Sequence, residues 1–181
     1  MFWFLKKGNL KYTVSCFIIF ILSWALAYFG AGALFSGSIE AGDTSSLYSG
    51  ESAVMLFFNN IGHCLLCVIG CGILTVPLLA FDGITIGIAG VGFKLFGGSF
   101  SQYALMLLPH SIFEIPALII SCAAGLKLFS ILRRYIAGDK ENIKSELINI
   151  AKSLIIILIL TIIAAVIEGY LTPIIAKSIG G

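Results

Sequence analysis

The stretch SLIIILILTIIAAVIEGYLTPII, Ser153 to Ile175, decides the fold class: it runs 23 residues with one charged side chain, Glu168. About 20 apolar residues in a helix match the roughly 30 Å hydrocarbon core of a bilayer. The segment therefore reads as a membrane span, and the rest of the chain has the same character. Hydrophobic residues make up 59% and charged residues 11%, with a mean hydropathy of +1.08, whereas soluble chains carry about 25% charged residues. In 181 residues, about four to six crossings use most of the chain and leave no room for a separate soluble domain. The expected fold is all-α, a single polytopic transmembrane helical bundle of about five spans. A net charge of +2, with the Lys and Arg residues near segment ends, argues against a nucleic-acid partner.

Outward from that segment, the predicted spans are 13–34, 53–80, 84–108, 108–132 and 153–175. The first follows Lys6, Lys7 and Lys11; Ala31-Gly-Ala33 resembles a signal cleavage site, but the run exceeds the 7–15 residues of a signal core, so an uncleaved helix is expected. The polar segment from Ser36 to Ser52, with Glu40, Asp43 and Glu51 and no Lys or Arg, reads as an external loop. Pro77 interrupts the second span late, and Asp82-Gly83 reads as the turn that closes it. The third span is Gly-rich and broken at Gly97-Gly98-Ser99, either one kinked helix or a re-entrant pair of half-helices. Gly83 and Gly87 share one face where another backbone can approach, within the chain or in a homo-oligomer. The loop 133–152 holds Arg133, Arg134, Lys140, Lys144 and Lys152 against Asp139, Glu141 and Glu146. Its excess of Lys and Arg marks it cytoplasmic, giving a multi-pass cell-membrane protein with its N-terminus inside and its C-terminus outside.

Polar groups inside spans are costly and are functional candidates by default. Asn59, Asn60 and His63 lie in the second span, with Asn59 and His63 four apart on one helix face. His110 and Glu114 are likewise four apart, and Glu168 sits late in the last span. All lie toward the outer helix ends, so they can meet at one level. Imidazole and carboxylates suit zinc or iron, making His110, Glu114 and Glu168 candidate metal ligands; the same groups can relay protons. The bland alternative is helix glue, at roughly 0.6 kcal/mol per interhelical bond. A neutral Gln would do that more cheaply than two acids. Asp82, Lys94 and Lys127 form a further group, expected near the cytoplasmic side, where the lysines snorkel or pair with Asp82.

Five cysteines, Cys16, Cys64, Cys67, Cys71 and Cys122, all fall in apolar runs and behave as small hydrophobes. Cys64-Leu-Leu-Cys67 has C-x-x-C spacing but lacks the second pair of a metal site. There is no phosphate-binding Gly-rich loop with its Lys, no G-x-S-x-G and no H-E-x-x-H. No cofactor is identified, and an ATP-driven role needs a partner that supplies the ATPase.

Phe57-Phe-Asn-Asn60, Leu108-Pro-His-Ser-Ile-Phe-Glu-Ile-Pro-Ala117 and Ile167-Glu-Gly-Tyr-Leu-Thr-Pro173, in this order around Asp82-Gly83, resemble the stage II sporulation protein M family of multi-spanning membrane proteins. The resemblance covers about Phe17 to Pro173 and departs at Ser111, where the family usually has Gly. It implies a role in sporulation or cell-envelope remodelling beside a cell-wall enzyme, or in bacteriocin immunity and export beside an ABC-type ATPase. It leaves the shared biochemistry open. Three functions follow: a permease-like or scaffold subunit, an intramembrane metal-dependent hydrolase, or an immunity or assembly protein without transport.

Overall fold

A computed structural model of the chain describes residues 3–35 and 52–180. The segment expected as an external loop lies outside the described residues, apart from Ser52. The described residues are helical throughout, joined by short turns. After a 3-10 turn at Trp3–Leu5 come α1 (Leu10–Leu34), α2 (Ala53–Ile69), α3 (Thr75–Leu95), α4 (Phe100–Ile136) and α5 (Ile143–Val166). A π-helical turn at Ile167–Leu171 then leads straight into α6, Thr172–Gly180. Four stretches are long and apolar enough to cross a membrane: α1, α3, α4 and the continuous run from α5 into α6. The shorter α2, at 17 residues, is about 25 Å long.

The helix boundaries correct the sequence reading at three places. The second span does not run through to residue 80: it ends at Ile69, where Gly70, Cys71 (φ +43°) and Gly72 (φ +77°) reverse the chain. Pro77 then sits in the first turn of α3, where its missing N–H has no helical partner to lose. Consequently Asp82-Gly83 is the interior of α3, not a turn. The break at Gly97-Gly98 separates α3 from α4, and α4 passes through Leu108 without interruption. Ser99 starts α4 by a capping box with Gln102. Finally, the expected loop 133–152 shrinks to residues 137–142, because α4 runs on to Ile136 and α5 starts at Ile143 as one helix into the span.

The longest helix, α4, is the axis of the bundle. Every residue from Ala117 to Gly125 is buried, as expected for a helix apolar on all sides and surrounded by others. Its residues enter two core clusters, one with Ile150 and Ile157 of α5 and Cys64 and Val68 of α2, the other with Cys16 and Phe20 of α1 and Leu79 of α3. On α3, Gly83 and Gly87 lie against α1 so closely that an added Cβ would stand 2.7 Å from the Phe20 carbonyl oxygen and 2.6 Å from that of Trp24. The face of α1 carrying Leu22, Leu26 and Phe29 is exposed, as suits a helix apolar enough to cross a membrane.

One end of the bundle gathers the basic residues. The Trp3 indole donates to the Ser153 hydroxyl, tying the start of the chain to α5, and Lys127 lies 5.9 Å from the Tyr12 ring centroid. Lys127 pairs with Glu146 at 2.9 Å, and Arg134 reaches both Glu146 (3.1 Å) and Asp139 (2.7 Å). Of the 11 Lys and Arg residues, Lys6, Lys7, Lys11, Lys127, Arg133, Arg134, Lys140, Lys144 and Lys152 belong to this end. Lys94, in the last turn of α3, and Lys177 of α6 belong to the other.

Candidate functional site

Two polar groups occupy the interior between α2, α3, α4 and α5. The first is built on α4, where one helical turn places His110 and Glu114 on a common face. Pro109 and Pro116 bracket them; each removes one helical N–H, a loss tolerated where neighbouring helices surround the backbone. The π-helical turn after α5 brings Glu168 to the same place. Such turns widen a helix by one residue and recur at functional sites. Gly169, next in sequence, lets this turn pack on α2, since a Cβ there would stand 2.8 Å from the Cβ of Ala53. The ligand atoms of His110, Glu114 and Glu168 all lie within 4.8 Å of one another. His110 is buried and the two glutamates are half-buried, while His110 Nδ1 faces the Thr172 hydroxyl at 3.5 Å.

The second group is a pair: His63 Nε2 and Asp82 Oδ2 lie 2.9 Å apart, joining α2 to α3. A turn below it, the Thr75 hydroxyl donates to the Cys67 carbonyl at 2.7 Å and accepts from the Gly72 amide at 2.9 Å, which fixes how α2 hands the chain to α3. Gly125 of α4 fits against this joint; a Cβ there would meet the Cys67 carbonyl oxygen at 2.2 Å.

Each group borders a cavity. A cavity of about 240 Å³ is lined by Asn60, His63, Asp82, Ser111 and Glu114 among apolar neighbours. A second, of about 410 Å³, has His110, Glu168 and Thr172 at one side and Phe93, Phe96 and Tyr103 at the other. Leu107 borders both. Tyr103 holds α4 to α3 by donating to the Ile86 carbonyl at 2.7 Å. The His110–Glu114–Glu168 cluster thus lies at the boundary between two cavities. It can hold a cation, pass a proton or grip a polar ligand group. Two ionised carboxylates about 5 Å apart repel by roughly 3.5 kcal/mol at an effective dielectric constant near 20, so an acid pair beside one imidazole is an arrangement that favours a bound positive charge.

The structure sorts the residues singled out in the sequence. His110, Glu114 and Glu168 come together, and Asn60 and His63 line the adjoining cavity. Asn59 does not join them: it is exposed on α2, while Asn60 and His63, three apart, line the cavity. The Asn60 Nδ2 is buried with no hydrogen-bond partner among the described residues. Asp82 does not pair with the lysines. His63 is its partner, Lys127 is held by Glu146, and Lys94 lies toward the opposite end. The sequence reading named Ser111 only as a departure from the family motif and missed Thr172 and Tyr103; Thr172 was open to discovery, since it lies one turn after Glu168. Cys16, Cys67 and Cys122 are fully buried free thiols in one core cluster. Among the described residues, His110, Glu114 and Glu168 are the group of His, Cys, Asp and Glu side chains near enough to share one ion.

Comparison with known proteins places this architecture. The chain is 35% identical over 107 residues to the uncharacterized protein MJ0793 of Methanocaldococcus jannaschii, a match covering 58% of this chain and 60% of that protein. It is 31% identical over 123 residues to the uncharacterized protein MJ0706 of the same organism, covering 66% of this chain and 55% of that protein. The chain therefore spans less than two thirds of either relative. No solved structure matches. The family model described as stage II sporulation protein M matches residues 14–173, which takes in all the helices that build the polar interior: this integral membrane protein belongs to the stage II sporulation protein M family.

Proposed function

We propose that this chain is a permease-like subunit of an export or envelope-remodelling assembly, working with a cytoplasmic ABC-type ATPase. The observation that carries the reading is the polar interior: two cavities that share Leu107 in their linings, with His110 and Glu168 on one and Glu114 on the other. A protein that only bridged partners would have no need for ionisable groups there, at several kcal/mol each. The concentration of Lys and Arg at one end supports an orientation with that end in the cytoplasm, the N-terminus inside and the C-terminus outside. There the last turns of α4 and the first of α5, joined by Arg134, Glu146 and Asp139, offer a rigid charged surface to an ATPase.

Affinity purification from native membranes, with mass spectrometry of co-eluting proteins, tests the reading. A variant with Arg133, Lys140 and Lys144 changed to Gln leaves the Arg134 network intact. An ATPase recovered with the wild type and lost from this variant supports the permease reading. Recovery of the chain alone, or with cell-wall enzymes only, overturns it. A second reading, an intramembrane hydrolase, draws on His110, Glu114 and Glu168 and depends on whether these hold a metal ion.

A further inference from the structure

Among the described residues, the His110–Glu114–Glu168 cluster is the group of His, Cys, Asp and Glu side chains near enough to share one ion. One imidazole nitrogen and two carboxylate groups converge from two separate stretches of chain, with ligand atoms within 4.8 Å of one another. Around a four-coordinate ion with bonds of about 2.0–2.1 Å, ligand atoms stand roughly 3.3–3.4 Å apart. Rotations that move each side-chain tip by about 1 Å close that difference. Two further observations fit a metal-binding role. His110 Nδ1 faces Thr172, which leaves Nε2 for an ion and supplies the outer partner that metal-bound histidines keep. Glu168 rides on the π-helical turn, a local departure from α-helix that sets its direction independently of α5.

We propose that His110, Glu114 and Glu168 bind one divalent transition-metal ion of the zinc class within the membrane. The charge balance selects a divalent ion: two glutamates, one neutral histidine and M²⁺ sum to zero, the one total that a low-dielectric interior accepts without penalty. A monovalent cation leaves one negative charge uncompensated. The imidazole ligand favours zinc, iron or nickel over magnesium or calcium, which prefer six or more oxygens. Three protein ligands leave a fourth position open, as in catalytic rather than structural zinc sites. His110 and Glu168 both line the 410 Å³ cavity, so a molecule there can reach the ion. The binding claim goes beyond the permease reading and is independent of any ATPase.

The test uses the full chain, purified in mild detergent without a polyhistidine tag, incubated with zinc or cobalt and passed over a desalting column. Wild type is expected to retain about one ion per chain by elemental analysis. Glu114→Gln and Glu168→Gln are expected to retain at least tenfold less while eluting as the wild type does, and Asp82→Asn to retain as much as wild type. Thr172→Val should weaken affinity about tenfold, the lower range for an outer-partner loss. A wild-type protein that retains no metal overturns the proposal, as does full retention in both glutamate variants. Should those variants fail to fold, the cobalt-loaded wild type decides. A visible spectrum of nitrogen and oxygen ligation supports the site, and a thiolate charge-transfer band places the ion among the cysteines and overturns it.

Discussion

His63–Asp82 and His110–Glu114–Glu168 border adjoining cavities of the same bundle and differ by one carboxylate. In the first, one acid meets one base at 2.9 Å across two helices, a closed pair whose charges can cancel internally. In the second, two acids share one imidazole, and these three side chains do not balance one another. The ratio of acids to bases, and not the mere presence of charge, separates a pair that closes on itself from the cluster proposed above to take a metal ion. The pair depends on the placement of α3, which is set by the close approach of Gly83 and Gly87 to α1, so the largest expected effect comes from moving α3. Gly87→Leu puts a side chain where even a Cβ stands 2.6 Å from the Trp24 carbonyl oxygen. Backbone cannot move aside as a flexible side chain can, and a loss of about 3 kcal/mol is expected, the upper range for overpacking. Thermal unfolding in detergent measures it. A stability equal to that of wild type would show that α1 and α3 are not packed through this face.

The comparison itself is sharpened by neutralising one acid in each group, with chelator present. Asp82→Asn removes the partner of His63 and should lower stability by about 1 kcal/mol, within the range of interhelical bonds in membranes. Glu114→Gln removes one of two repelling carboxylates and should raise stability in the metal-free protein by roughly 1–3 kcal/mol, bounded by the Coulomb estimate of about 3.5 kcal/mol. The opposite signs are the point, and equilibrium unfolding of both variants in one detergent measures them. Destabilisation by both would make the cluster ordinary helix glue.

How far this could be read from the sequence depends on which rule governed each residue. His110 and Glu114 were legible because the four-residue spacing holds throughout an unbroken helix, and Glu168 because a lone acid in an apolar run stands out. Asn59 was misplaced because the residues three and four before His63 are both asparagines, and spacing alone does not choose between them. Asp82-Gly83 was misread for a different reason. In water an Asp-Gly pair marks a turn, but between helices Gly83 admits the backbone of α1 and Asp82 finds His63, so helix continues. The true reversal, Gly70-Cys71-Gly72, was hidden in an apolar run, and the late-looking Pro77 was the start of the next helix. Convergence of Glu168 on His110 was not legible beyond a shared depth, because the π-helical turn that aims it leaves no spacing rule to follow.

The exposed charges at the basic end give the smallest effect and the control for both interior groups. The Arg134 guanidinium donates to Asp139 at 2.7 Å, and the Glu141 amide donates to the same carboxylate at 3.1 Å. Together, with Arg134 contributing most, they hold the Asp139 carboxyl below its ordinary titration range. A carboxylate depressed in the folded state contributes stability above its unfolded pKa, and that contribution is lost as pH falls through the lower folded value. Because water screens both partners, the change should be visible in the titration and not in the unfolding midpoint. Carboxyl-carbon NMR in nanodiscs is expected to show Asp139 titrating below an ordinary aspartate, with Arg134→Gln moving it up while His63–Asp82 is undisturbed. An Asp139 midpoint unchanged by Arg134→Gln would remove the ion pair from the turn between α4 and α5. The rigidity claimed for the ATPase-facing surface would then rest on Arg134 and Lys127 gripping Glu146 alone.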